Sequence, residues 1–125
     1  MPHPLNFNSG WWLIFLAFVA GAGIGLGFHR EDFLGGYGSF RRRLLRLGHI
    51  ALAALGALNV LYGICPVPAP ADRLGTWASA LLVAGAIAMP LVCFLASWRE
   101  PFRRLFFLPV ALLLGAVALI LARLP

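Results

Sequence analysis

His49 is the residue in this sequence whose type and place best suit chemistry. It lies three residues past Arg46, just inside the apolar run Leu47–Cys65, LGHIALAALGALNVLYGIC. On a helix that puts it only about 4.5 Å deeper than the arginine. An ionisable side chain within an apolar span is a functional candidate by default. Neutral imidazole is a good axial ligand for haem iron. His49 is therefore the candidate ligand for a b-type haem or for the magnesium of a (bacterio)chlorophyll. A bis-histidine haem needs a second imidazole at similar depth. His29, at the end of the first apolar run, is the candidate for it, because His3 falls on the opposite side. The favoured reading is plainer: a boundary histidine bonded to a carbonyl, a lipid phosphate or a neighbouring subunit. No cofactor is firmly implied.

The segment His29–Arg43, HREDFLGGYGSFRRR, is the least generic stretch. Glu31 and Asp32 can fold back on Arg41, Arg42 and Arg43 across the glycine turn, making a compact cap. Arg30, Glu31, Asp32, Tyr37, Arg41, Arg42 and Arg43, extended by Arg99, Arg103 and Arg104, form the candidate docking surface. Its expected ligands are other integral membrane subunits, anionic lipid headgroups and bound phospholipid. Two polar pairs stand one helical turn apart, Asn59 with Tyr62 and Thr76 with Ser79. They lie at similar depth and are expected to bond across helices.

Other chemistries lack their residues. Cys65 and Cys93 form no CxxC motif and no Cys/His cluster, so zinc and thiol redox chemistry have no support. They fall on opposite sides and cannot pair. The run GAGIGLG, residues 21–27, lies inside an apolar stretch with no strand before it, so it is not a dinucleotide loop. Glu31, Asp32, Asp72 and Glu100 all fall in loops or at helix ends. A proton-coupled drug exporter would need an embedded carboxylate. No catalytic constellation emerges, and the expectation is a non-enzyme.

The elements that must position these residues are four apolar stretches, about 10–28, 47–65, 74–96 and 105–122. The chain is 62% hydrophobic and 11% charged over 125 residues, against about 25% charged in a soluble domain. Each stretch is close to the roughly 20 residues that cross a bilayer as a helix. The expected fold is a single all-α transmembrane domain, a four-helix bundle spanning residues 1–125. All ten basic residues are arginine, and the net charge is +6. In an apolar chain that excess marks orientation, not nucleic acid. Eight of the ten fall in loops 29–46 and 97–104, which are assigned to the cytoplasm. Both termini and the proline-alternating loop 66–73 are then outside. That asymmetry disfavours a dual-topology channel. Met1–Trp12 carries no basic n-region, so the first run reads as retained rather than as a signal peptide. Ser39 is placed to cap an early start of the second helix.

Small residues recur at helical spacing. Gly21 and Gly25, then Ala53, Gly56 and Ala57, and finally Gly115, are the expected packing residues. Small side chains let helix backbones approach closely in lipid, where little hydrophobic force acts between helices. The resulting expectation is a small accessory or structural subunit of a multi-subunit membrane complex of electron transfer, respiratory or photosynthetic, in a bacterial inner membrane. The alternatives are a haem- or chlorophyll-binding subunit using His49 and a small homo-oligomeric transporter or channel.

Overall fold

The computed structural model describes residues 3–65 and 73–124. Four helices carry the chain: α1 Pro4–Phe28, α2 Phe40–Ile64, α3 Arg73–Trp98 and α4 Phe107–Leu121. A 3-10 turn, Phe33–Gly35, lies between α1 and α2, and a 3-10 segment, Glu100–Phe106, leads into α4. Among the described residues there is no strand. Four segments, Pro4–Phe28, Phe40–Ile64, Arg73–Trp98 and Glu100–Leu121, are long and apolar enough to cross a membrane. The proline-alternating loop lies, apart from Arg73, outside the described residues.

Two helices start earlier than the apolar runs. α1 begins at Pro4 rather than near Gly10, because proline at the first helical position needs no N–H partner and has a helical φ already. α2 begins at Phe40, seven residues before Leu47. Ser39 caps it: the Ser39 hydroxyl accepts from the Arg42 amide at 3.1 Å, as its position before the arginine run suggested. Pro90 lies within α3 and is buried, and the helix continues through it. Pro109 sits in the first turn of α4.

Successive helices pack against one another, and His3 and Arg123 come together at one end of the molecule. α2 and α3 form the central pair. α1 closes one side over Leu13, Ala17, Leu52 and Ala86. α4 closes the other over Tyr62, Leu82 and Ala116. The four helices form the expected bundle, and it is open on one side: α1 and α4 share no substantial packed interface. Each outer helix buries only one narrow stripe, Asn6, Gly10, Leu13 and Ala17 on α1 and Pro109 with Ala116 on α4. A closed bundle needs two seams on every helix. The open geometry leaves an apolar groove of about 520 Å³ between α1 and α3. A smaller one of about 310 Å³ lies between α2 and α4.

The α1–α2 crossing depends on glycine. A Cβ added to Gly10 would lie 2.6 Å from the Gly56 carbonyl oxygen, and one on Gly56 would lie 3.0 Å from the Gly10 oxygen. Backbone touches backbone there, as small-residue seams permit. Three of the other expected packing residues do not join a seam. Gly25, Ala53 and Ala57 are exposed, and space is open around Gly25. The seam on α2 instead follows Gly48, Leu52, Gly56, Asn59 and Gly63. Gly115 meets only Leu81, at an ordinary 3.5 Å.

Candidate functional site

Two polar clusters mark the two ends of the molecule, and one imidazole lies between them. The arginine end is built on Arg42, which is buried although charged. α1 stops at Phe28 and leaves carbonyls without helical partners. The Arg42 guanidinium donates to the Phe28 oxygen at 3.5 Å and to the Glu31 oxygen at 3.3 Å. Its Cζ also lies 4.1 Å from the centroid of the Phe28 ring. Positive charge at a helix C-terminus is favoured by the helix dipole as well. Arg46 donates to the Tyr37 carbonyl at 3.4 Å and lies 4.3 Å from the Tyr37 ring centroid. Arg41 reaches the last turn of α3, donating from Nε to the Ser97 oxygen at 2.7 Å.

The chain reverses through Leu34, Gly35 and Gly36, all with positive φ. The Ser39 hydroxyl donates to the Leu34 carbonyl at 2.7 Å and holds the turn. A cap therefore forms, but its chemistry differs from the expected fold-back of carboxylates. Among the described residues the one ion pair is Arg30 with Asp32, at 3.5 Å and well exposed. Glu31 contributes its backbone carbonyl, not its carboxylate, because the turn aims that carbonyl at Arg42 while the side chain stays exposed. Arg43, Arg99, Arg103 and Arg104 are exposed. Tyr37 is exposed too, flanked by Arg42 and Arg46.

At the opposite end, Asn6, Asn59 and Ser79 join three helices. Asn6 donates to Asn59 Oδ1 at 2.8 Å, and the Ser79 hydroxyl donates to Asn6 Oδ1. Asn59 also donates to the Leu55 carbonyl at 2.9 Å. Both asparagines are wholly buried. Asn59 and Ser79 were expected to bond across α2 and α3. They are connected, but through Asn6, which the sequence reading passed over. The signal was present: Asn6, Gly10, Leu13 and Ala17 repeat at helical spacing once the helix is extended back to Pro4.

His3 completes this end. It is 2% exposed, and its ring stacks on Tyr62 with centroids 4.4 Å apart and 22° between planes. Its amide donates to the Gly63 carbonyl at 3.2 Å. Neither ring nitrogen has a hydrogen-bond partner among the described residues. Burial, and then the positive charge of Arg123, push His3 below the ordinary histidine value.

His49 and His29 are not brought together. His49 packs its ring on α1 at Gly21, where an added Cβ would lie 2.8 Å from Cε1. Gly21 is thus a packing residue whose neighbour is the imidazole. His49 Nδ1 is buried without a hydrogen-bond partner among the described residues. His29 is the exposed C-cap of α1, eight residues further along. That is about 12 Å of helix rise, too far for the pair to share one iron. Among the described residues no group of three or more His, Cys, Asp or Glu side chains could hold a metal ion. Cys65 and Cys93 are free thiols.

No known protein family, curated protein or solved structure matches this chain.

Proposed function

We propose that this protein is a multi-pass membrane protein with its arginine end in the cytoplasm, acting as a small non-catalytic subunit of a larger membrane complex. The observation that carries the reading is the unspent charge at that end. Eight arginines stand there against Glu31, Asp32 and Glu100. Arg41, Arg42 and Arg46 are used on backbone carbonyls, and one exposed ion pair neutralises Arg30. Arg43, Arg99, Arg103 and Arg104 remain for an anionic surface, on a partner subunit or on lipid headgroups. The assignment to an electron-transfer complex of a bacterial inner membrane rests on analogy with other small helical subunits.

The test is purification from native membrane in mild detergent. A stable set of co-purifying membrane proteins is expected, weakened by the triple change Arg43→Glu, Arg103→Glu, Arg104→Glu and by salt. Recovery as a free monomer refutes the proposal.

One observation favours a second reading. His49 lies inside an apolar segment, where a neutral imidazole is suited to a subunit holding a b-type haem or chlorophyll. The partner ligand would have to come from another chain, since His29 is out of reach. An absorption spectrum of the natively purified complex decides it: loss of a Soret or chlorophyll band in His49→Ala is expected, and no band at all in the wild type sinks it.

A further inference from the structure

We propose that His3 is a proton-sensitive latch: its neutral ring holds the first turn of α1 on the end of α2, and protonation releases that turn. Three contacts hold that turn. The ring stacks on Tyr62, the backbone amide bonds the Gly63 carbonyl, and the next turn presses Phe7 on Gly63, where an added Cβ would lie 2.7 Å from Phe7 Cβ. The His3 carbonyl in turn accepts from the Phe7 amide at 3.1 Å, so the same residue anchors the helix start.

Among the described residues the neutral ring already lacks a hydrogen-bond partner at both nitrogens. A charged ring would be worse off, since a buried charge is costly unless paired. The groups facing it do not help. From α2 comes the Tyr62 phenol ring, and from the end of α4 comes the Arg123 cation. Arg73 at the start of α3 is exposed and is also positive. Among the described residues no carboxylate stands at this end of the molecule. Protonation in place would set a buried cation beside the Arg123 cation, so the proton favours the form in which the ring leaves its place. The released turn carries Asn6, three residues on, so protonation also loosens the link from α1 to Asn59 and Ser79.

The sign follows from linkage. The buried ring holds its proton less tightly than an unfolded histidine, so the open form binds more protons and gains as pH falls below the ordinary value near 6.5. The effect is absent at pH 7.5. If the buried ring stays neutral throughout, opening rises up to about tenfold by pH 5.5.

The experiment is hydrogen exchange of the Phe7 and Asn8 amides in nanodiscs at pH 7.5 and 5.5, corrected for the intrinsic exchange rate. Wild type is expected to lose protection several-fold at the lower pH, and His3→Phe, which keeps an aromatic ring on Tyr62, is expected to lose none. An equal loss in both, or no loss in wild type, overturns the latch. If His3→Phe does not fold, His3→Gln takes its place. If neither folds, a titration of the wild-type imidazole by NMR decides: protonation at or above that of exposed His29 refutes the proposal, and protonation well below it supports the proposal.

Discussion

Replacing Asn6 with alanine tests the three-helix polar link directly. Asn6 makes two good hydrogen bonds, to Asn59 Oδ1 at 2.8 Å and from the Ser79 hydroxyl, and a longer one at 3.4 Å to the Ser79 carbonyl. Interhelical hydrogen bonds within membranes average about 0.6 kcal/mol, with a maximum near 1.7. Two of them give about 1.2 kcal/mol. The change also orphans Asn59 Oδ1 in a fully buried place, and a buried acceptor without a partner costs about 1–3 kcal/mol. Ser79 escapes most of that cost, because its hydroxyl can turn to the carbonyl four residues earlier. The expected loss for Asn6→Ala is therefore about 2–4 kcal/mol. The sharper quantity is the coupling in a double-mutant cycle of Asn6→Ala and Asn59→Ala. It should exceed the single-bond figure of about 0.6 kcal/mol, because the double variant also removes the acceptor that Asn6→Ala orphans. Reversible unfolding in mixed micelles with increasing SDS measures it. Additive losses, with coupling indistinguishable from zero, would refute both the bond and the start of α1 at Pro4, since a helix beginning at Gly10 leaves Asn6 unplaced.

The same unfolding assay tests the packing. Gly10→Ala should cost about 1–3 kcal/mol, since its Cβ meets the Gly56 carbonyl at 2.6 Å. Gly25→Ala, with open space around it, should be neutral or gain up to about 1 kcal/mol from helix propensity. At the arginine end, Arg42→Ala should destabilise by about 1–3 kcal/mol by orphaning the Phe28 and Glu31 carbonyls, whereas exposed Arg43→Ala should stay within about 0.5 kcal/mol. Gly21→Val should displace the His49 ring. Carbethoxylation of that imidazole by diethyl pyrocarbonate should then change in rate, and an unchanged rate would contradict the Gly21 contact.

Much of the architecture was legible in the sequence because it follows from local chemistry. An apolar run of about 20 residues must be helical if it lies in lipid, since its backbone groups have no other partner there. Ser39 before an arginine run announced its cap. The clustering of Arg30, Arg41, Arg42, Arg43 and Arg46 around a glycine turn marked where a cap would form. The faces were not legible. Lipid and protein interior are both apolar, so a helix such as GWWLIFLAFVAGAGIGLGF is nearly uniform around its circumference and gives no inward stripe. Ala53 and Gly56 look equivalent as small residues, yet Gly56 touches the backbone of Gly10 and Ala53 is exposed.

Pairing was hidden for a related reason. Which carbonyl Arg42 reaches depends on where α1 stops and how the turn at Leu34, Gly35 and Gly36 aims the backbone of Glu31. That His49 lies on Gly21 and not near His29 is set by the register of two crossing helices. That His3 and Asn6 matter at all is set by an early helix start and by the end of α2 that receives it. Composition and spacing thus determined the number of helices and which end is positive, because those depend on each segment's own solvation. Only the tertiary structure decided which polar groups are satisfied, because a hydrogen bond between helices depends on the relative placement of two segments that neither one encodes alone.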